Sequence, residues 1–202
     1  MSNCPRDKAA ARHLLAASFV KGPLFDYAFA SKCDDRVLGA LFDAVVDDAI
    51  AYGFAEAAFD DELAGLLLWY PPHAYPMTLW RELRGLPAWL RIALSAPGGL
   101  FKLARVQAAL ERLRPAAPHC HGYFMAGRAG ARTAALLGRR MLDQADAKGW
   151  ASYLETQDPR TVALYGRLGF VVRDFCVAGP KGAPPSWTMW REPLAASGHA
   201  GS

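Results

Sequence analysis

Apolar positions in the first third of the chain follow two different spacings. Over residues 7–17 and 34–52 they recur every three to four residues, which predicts two amphipathic helices. Residues 54–59 and 63–70 form two short apolar segments joined by an acidic turn, which predicts a β-hairpin. Residues 23–29 are aromatic and begin with proline, so we predict a turn there.

The remainder of the chain alternates between helical and strand spacing in the same way. Residues 73–114 carry helical apolar spacing on both sides of Pro97-Gly98-Gly99, which predicts two amphipathic helices. A further helix is predicted over residues 134–148. Two strands are predicted near the end of the chain, over residues 170–177 and 186–191. The first is expected to begin as a buried strand and the second to be two-faced.

The most informative segment is residues 153–170, which predict a strand, a tight turn, a short helix and a second strand. Asp158 can cap a helix that begins at Pro159, because proline lacks the N–H that the first turn leaves unpaired. Gly169 then ends the helix. A helix of such fixed length places Tyr165 at a defined distance from the preceding strand. The alternative is a tyrosine that packs the helix and leaves its hydroxyl in water.

This run resembles the C-terminal signature of the GNAT superfamily of N-acetyltransferases, which move an acyl group from coenzyme A to an amine. The resemblance implies an α/β (α+β) fold, with a central mixed, mostly antiparallel sheet of about six strands flanked by helices. It also implies a helical insert at residues 73–114. A single domain is expected over residues 1–194, followed by a flexible tail at residues 195–202.

The N-terminal half narrows the resemblance to one group. It contains, in order, a helix, the run Pro-Leu-Phe, a long helix and a hairpin that ends in Leu-Trp-Tyr-Pro-Pro. This order is similar to that of bacterial puromycin N-acetyltransferase and its relatives. These proteins usually begin with a strand ahead of the first helix, and none is visible here. We therefore expect a sheet that is one strand short at that edge, or another segment in its place.

The resemblance implies roles for Tyr165 and for one central strand. In the superfamily, the tyrosine that matches Tyr165 lies near the thioester sulfur and acts as general acid toward the departing thiolate. Residues 115–126 resemble the start of the central strand, whose free amides meet the pantetheine arm and polarise the acyl carbonyl. The implied cofactor contacts on this strand and on the following short helix are Tyr123, Phe124, Met125, Ala126 and Thr161.

Three residues are candidates for the general base that deprotonates the amine. His119 and His121 are two positions apart, so on a strand they share a face, and histidine titrates near neutral pH. Glu155 stands at the end of its strand. We rank the three as His121, Glu155 and His119. The alternatives are a structural His119, a solvated His121 and a Glu155 that caps the following turn.

The segment expected to hold the cofactor pyrophosphate departs from the superfamily pattern, in which Arg/Gln-x-x-Gly-x-Gly/Ala opens a helix. Ala131 replaces the central glycine, Thr133 replaces the last small residue, and the link from the strand is shorter by about four residues. Three interpretations remain open: a weakened coenzyme A site, a site for carrier-protein phosphopantetheine, or a loop that binds no cofactor. The residues of the implied phosphate nest are Gly127, Arg128, Ala129, Gly130, Ala131, Arg132 and Thr133.

Aromatic residues at the end of the hairpin and in the insert are candidates for the acceptor site. In related acetyltransferases the insert borders that site, so the resemblance implies an acceptor or acyl pocket that includes Arg81. The alternative is that the aromatic residues form ordinary core or a dimer contact, as helical apolar faces usually do. The implied substrate contacts are Trp69, Tyr70, Trp80 and Trp89.

Composition excludes several classes of partner. The net charge of +4 and the scattered basic residues are too little for a nucleic-acid footprint but suffice to attract an anionic cofactor. No apolar run is long enough for a signal segment or a membrane span. The four cysteines form no Cys-x-x-Cys pair, which indicates reduced thiols and a cytoplasmic location. Residues 119–121, His-Cys-His, lack a further cluster with metal-ligand spacing, so no metal is expected.

We therefore expect an N-acyltransferase that moves an acetyl or other acyl group from acyl-coenzyme A to a primary amine of a small molecule by direct attack. The protein is expected to be a monomer or a homodimer. Two alternatives stay open. A protein of this fold that has lost coenzyme A binding would act as a ligand-binding module. A repurposed one would catalyse another reaction of secondary metabolism, with an acyl carrier protein as its partner.

Overall fold

The computed structural model describes residues 7–128 and 133–194. Within these ranges the chain forms both helices and strands, as the resemblance implies. In chain order they are α1 (Lys8–Phe19), α2 (Pro23–Phe29), α3 (Asp35–Tyr52), β1 (Phe54–Phe59), β2 (Leu63–Tyr70), α4 (Leu79–Arg84), α5 (Leu86–Ser95), α6 (Pro97–Glu111), β3 (His119–Gly127), α7 (Thr133–Ala147), β4 (Ala151–Thr156), α8 (Pro159–Arg167), β5 (Val171–Val177) and β6 (Pro185–Arg191).

The six strands form one mixed sheet in the order β1-β2-β3-β4-β6-β5. The pair β3–β4 is parallel and the other four pairs are antiparallel, which confirms the predicted fold class. In the part of the chain that the structure describes, β1 and β5 are the edge strands. Among the described residues no strand lies beyond β1, as the first of the two sequence-based expectations has it.

Local sequence explains where several helices begin. The carboxylates of Asp7 and Asp34 accept hydrogen bonds from the first amides of α1 and α3. Asp158 does the same for α8, whose first residue is Pro159, so the predicted start of this helix is confirmed.

Two predictions of local structure were wrong. The segment 23–29 is the helix α2 and not a turn, because Pro23 occupies a helix-compatible first position and the buried residues share one face. Residues 73–114 contain three helices and not two. Gly85 ends α4, and Pro87 and Pro97 lie in the first turns of α5 and α6.

Helices cover both faces of the sheet. The first face packs against α1, α2 and α3 through side chains such as Phe42, Leu66 and Leu68. The second face packs against α7 through Leu67 and Leu137, with α8 beside it. In the described ranges, no helix combines the length and the apolar character needed to cross a membrane.

One β-bulge changes which side chains of β3 face the first helical layer. Leu68 pairs with Phe124 and Trp69 pairs with Gly122, so Tyr123 is the extra residue in β3. Consequently Tyr123 and Phe124 both pack toward the first face, with ring centroids 4.9 Å apart. Without the bulge, strand alternation would have sent one of these rings to the other face.

Candidate active site

A cleft opens where the parallel strands β3 and β4 separate. Their pairing runs from His119–Ala151 to Gly122–Leu154 and then ends, while β3 stays paired with β2 as far as Gly127. The four residues 122–125 are partly exposed, although they lie on a central strand and the neighbouring β2 is fully buried. Solvent therefore reaches the middle of the sheet along the unpaired edge of β3.

Glu155 lies on β4 just after the two strands separate. Its carboxylate accepts a hydrogen bond of 2.9 Å from the Tyr153 hydroxyl. Burial raises the pKa of Glu155 to about 7. The bond from Tyr153 and the charge of Arg114 lower this pKa, whereas Glu111 raises it. A carboxyl group with a pKa near neutrality is suited to accept a proton at physiological pH.

The two histidines are deeply buried on the face of the sheet that carries Glu155. His121 is 3% exposed, its ring centroid is 4.2 Å from that of Tyr75, and within the described residues its Nδ1 atom has no hydrogen-bond partner. Burial, with smaller contributions from His119 and Arg114, lowers the pKa of His121 to about 3. The imidazole is therefore neutral and a much weaker base at neutral pH than Glu155. By these pKa values Glu155 is better suited to accept a proton at neutral pH than His121, which the sequence-based order puts first.

Contacts with several residues hold the His119 ring in place at the start of β3. Its Nδ1 atom donates a hydrogen bond of 2.7 Å to the carbonyl oxygen of Ala117, and its ring packs against those of Tyr153 and Trp190. Burial is the largest influence on His119 and lowers its pKa. These contacts fix the start of β3 against β4 and β6.

Tyr165 lies on the second face of the sheet, opposite Glu155. It packs in the cluster that contains Leu154, whose side chain points away from the Glu155 face because strand residues alternate. Burial raises the pKa of Tyr165 to about 12, so the phenol stays protonated at neutral pH. Within the described residues its hydroxyl makes no hydrogen bond. Glu155 and Tyr165 therefore flank the end of β4 from its two faces.

A second polar group beside Glu155 was missed by the sequence analysis. The Tyr75 hydroxyl donates a hydrogen bond of 2.9 Å to Glu111, which also forms an ion pair of 2.7 Å with Arg114. The guanidinium of Arg114 lies 4.8 Å from the centroid of the Tyr75 ring. Tyr75 stacks in turn on His121. The end of α6 thus brings one positive and one negative charge to the cleft.

Tyr153 was also missed, although a signal for it was present. Tyr153 and Glu155 are two positions apart on one strand and so share a face. The parallel register places Tyr153 directly opposite His121. Glu111 and Arg114 offered no comparable signal, because an i, i+3 pair of charges at a helix end is usually a solvated surface pair.

Of the four predicted substrate contacts, the structure places Tyr70 near the cleft. The Tyr70 ring lies 5.5 Å from that of Tyr123, and its hydroxyl donates a hydrogen bond of 2.6 Å to Asp48. Asp48 also receives two hydrogen bonds from Arg81, of 3.0 and 2.6 Å. Arg81 is therefore bound within the protein, where it holds α4 against α3 and positions Tyr70.

The three tryptophans lie elsewhere. Trp69 is fully buried on the face covered by α7, where it stacks on Phe54 at 4.2 Å and donates a hydrogen bond to Glu56. Strand alternation points Trp69 away from the Tyr70 face, so the structure does not bring it together with Tyr70 and Glu155. Trp89 packs against the core of the first face, and Trp80 is 70% exposed on α4.

The predicted phosphate nest lies mostly outside the described residues, because these exclude Ala129, Gly130, Ala131 and Arg132.

The residues that flank the predicted phosphate nest are bound to the β1–β2 hairpin. Arg128 donates a hydrogen bond to the carbonyl oxygen of Leu63 and forms an ion pair of 3.1 Å with Glu62. The Thr133 hydroxyl donates to Ala64. At Gly127 a Cβ atom would lie 3.0 Å from that of Ala134, so glycine permits the close approach of α7.

Thr161 was predicted to contact the cofactor, but its hydroxyl serves the start of α8. It lies 2.6 Å from the Thr156 hydroxyl and donates a hydrogen bond of 2.8 Å to the Asp158 carbonyl. Among the described residues, no group of three or more His, Cys, Asp or Glu side chains is arranged to hold a metal ion.

Solved structures that are similar to this chain include several acetyltransferases. A Corynebacterium glutamicum structure described as a histone acetyltransferase and related acetyltransferase is 21% identical. It aligns over 98% of this chain and 97% of its own, with a TM-score of 0.71. Polyamine N-acetyltransferase of Drosophila melanogaster, which forms N-acetylagmatine, is 12% identical over 92% of this chain and 94% of its own, with a TM-score of 0.56.

A Desulfovibrio desulfuricans protein assigned to the GNAT family is 13% identical over 96% of this chain and 98% of its own, with a TM-score of 0.57. Neither a protein-family model nor a curated protein sequence matches this chain. The likeness therefore concerns three-dimensional structure: the fold is that of the GNAT acetyltransferases.

Proposed function

We propose that the protein is an N-acyltransferase that uses acyl-coenzyme A, such as acetyl-coenzyme A, and a small primary amine. The observation that carries the proposal is the cleft between β3 and β4. A carboxyl group with a pKa near 7 flanks this cleft on one face, and a protonated phenol flanks it on the other. The two groups offer a proton acceptor and a proton donor on opposite sides of one opening.

Each group has a defined task in direct acyl transfer. The donor supplies the activated acyl group when it is bound. The unpaired amides on the exposed part of β3 hydrogen-bond and polarise its carbonyl. Glu155 accepts the proton that the acceptor ammonium must lose before its nitrogen can attack. Tyr165 donates its proton to the sulfur that leaves. The nitrogen loses its second proton as the amide forms, and this proton returns through solvent to the Tyr165 phenolate, so protons and charges balance across the reaction.

The surroundings of Glu155 favour a cationic acceptor. Tyr70, Tyr75 and Tyr123 present aromatic faces on the same side of the sheet, and such faces attract ammonium groups. Glu111 adds a nearby carboxylate, which is paired with Arg114. Structures of similar fold include enzymes named for polyamine, agmatine and arylalkylamine substrates, which supports a small amine as the acceptor.

The experiment is an assay of thiol release from acetyl-coenzyme A with a panel of amines that includes polyamines, arylalkylamines, aminonucleosides and aminoglycosides. We expect amine-dependent release with at least one class. Tyr165→Phe should lower turnover by about 10²–10⁴-fold and leave donor affinity nearly unchanged, because the hydroxyl acts on the leaving group. Unchanged turnover in this variant would remove Tyr165 from the mechanism.

A donor carried on an acyl carrier protein is the second candidate. The guanidinium of Arg128 already binds the β1–β2 hairpin, so fewer of its N–H donors are left for the diphosphate of free coenzyme A. The C-terminal condensation domain of Ebony, determined with β-alanyl-dopamine, is also similar in fold, at 11% identity and a TM-score of 0.53. Transfer from an acylated carrier protein, with none from acetyl-coenzyme A, would favour this candidate.

A further inference from the structure

The edge strand β5 exposes an unusual amount of apolar surface. It pairs with β6 on one side, and its outer edge forms no pair with any described strand. Four of its seven residues are large apolar side chains that are largely exposed: Val171 (64%), Val172 (46%), Phe175 (62%) and Val177 (61%). A long apolar edge strand in a monomer is a site of unwanted strand pairing.

The pairing with β6 fixes the face to which each side chain of β5 points. Val172, Phe175 and Val177 stand opposite Met189, Trp187 and Pro185, which places these three residues on the α8 face. Asp174 and Cys176 stand opposite Thr188 and Ser186 and point to the other face.

A β-bulge makes Arg173 the extra residue between Val172 and Asp174. The Arg173 guanidinium lies 5.9 Å from the centroid of the Trp190 ring, and that ring packs on His119. Arg173 therefore shares the face of Asp174. The bulge places two adjacent residues of opposite charge on one side of the strand.

We propose that β5 is the contact surface of a homodimer in which the outer edges of two β5 strands pair antiparallel and join the two sheets. The two-fold axis passes between Arg173 and Asp174. Arg173 of each copy then stands opposite Asp174 of the other, and Val172 stands opposite Phe175. Val171 stands opposite Cys176.

Matching of faces selects this register. Cross-strand partners must point to the same side of a sheet, and a shift by one residue reverses that relation along the strand. With the axis between Arg173 and Asp174, each of the three kinds of pair joins residues on one face. With the axis at Asp174, Arg173 would stand opposite Phe175 on the wrong face, and two aspartates would face each other.

The charged and apolar residues of β5 indicate that the strand paired with its outer edge belongs to a second copy of this chain. An antiparallel pair of identical strands is self-complementary when residues at equal distances from the axis are complementary. The adjacent Arg173 and Asp174 meet this condition with two ion pairs, and Val172 and Phe175 meet it with two apolar contacts. A different protein would need an edge strand with matching charged and apolar residues in the reverse order.

The first test is the mass of the purified protein by sedimentation at several concentrations. We expect a dimer. Arg173→Glu places a glutamate opposite Asp174 twice and should raise the dissociation constant of the dimer at least about tenfold, because like charges then meet. Arg91→Glu makes the same charge change at an exposed position on α5 and should leave the dimer intact.

The second test is specific for the register and uses a Cys176→Ser background. A mixture of Val172→Cys and Phe175→Cys proteins should form an intermolecular disulfide upon mild oxidation. Val172→Cys mixed with Val177→Cys should form little, because these residues are not opposite each other. A monomeric wild type would overturn the proposal, and so would a dimer that survives Arg173→Glu and gives no selective disulfide. Neither test depends on acyltransferase activity.

Discussion

Glu155 is the proton acceptor in the proposed reaction, and its proton affinity is set by burial and by residues of β4 and the end of α6. Burial and the charge of Glu111 favour the protonated carboxyl group. Arg114 and the hydrogen bond from Tyr153 favour the carboxylate. Because the two sets of effects oppose each other, the pKa of Glu155 lies near 7, where a base can accept a proton and still be largely ionised.

For Glu155→Gln we expect a change in the pH dependence of activity. In the wild type, kcat/KM should rise through about pH 7 as Glu155 loses its proton. The variant should lose about 10²–10⁴-fold in rate and also lose this acidic limb. The measurement is a pH series of initial rates with one amine. A variant that retains both the rate and the limb would show that another group is the base.

Stability provides an independent readout of the same group. The folded protein binds the Glu155 proton more tightly than the unfolded chain does, since the pKa is raised from 4.5 to about 7. The wild type therefore loses stability as the pH rises between these two values. Glu155→Gln should lack this loss, so its melting temperature relative to wild type should be higher at pH 8 than at pH 5.

Glu111 and Arg114 should shift the acidic limb in opposite directions. Glu111→Gln removes a negative charge and should lower the apparent pKa of kcat/KM, whereas Arg114→Gln removes a positive charge and should raise it. The same pH series measures both. Equal shifts in one direction would indicate that the variants disturb the packing around Tyr75 and do not act through charge.

At the scale of elements, helix caps and strand alternation made much of the fold predictable. Asp158 and Pro159 fixed the start of α8 because their effects are local. The helix α2 was missed because its stability comes from burial of Phe25 and Phe29 against α3 and α6, which no local pattern reveals. The bulge at Tyr123 was equally invisible, since register depends on two strands that are distant in sequence.

The contact between α2 and α6 rests on a glycine and gives a test of packing. At Gly99, an added Cβ atom would lie 2.4 Å from a ring carbon of Phe29 and 2.8 Å from the Ala28 carbonyl oxygen. Gly99→Ala should therefore lower the free energy of unfolding by about 1–3 kcal/mol. Gly98→Ala is the control, because nothing lies within 4 Å of its Cβ position, and it should change stability by less than about 1 kcal/mol. Denaturant unfolding measures both, and equal effects would contradict this account.

At the scale of the whole molecule, the candidate site was only partly predictable. Alternation along β3 brings His119 and His121 to one face, and this much follows from the sequence. That Glu155 lies on the same face depends on the register between β3 and β4, which only the structure shows. The order of the candidate bases did not follow, because the pKa of His121 depends on complete burial beneath Tyr75. The charges of α6 reach the cleft only through the folded insert, so no spacing in the sequence could indicate them.

The central claim is that the cleft between β3 and β4 binds an acyl-coenzyme A donor. Calorimetric titration of the purified protein with acetyl-coenzyme A tests it most directly. We expect saturable binding of one donor per chain, with the same affinity in Glu155→Gln, because that residue acts on the acceptor. Absence of binding at millimolar donor, in a protein that is folded by its melting transition, would contradict the account.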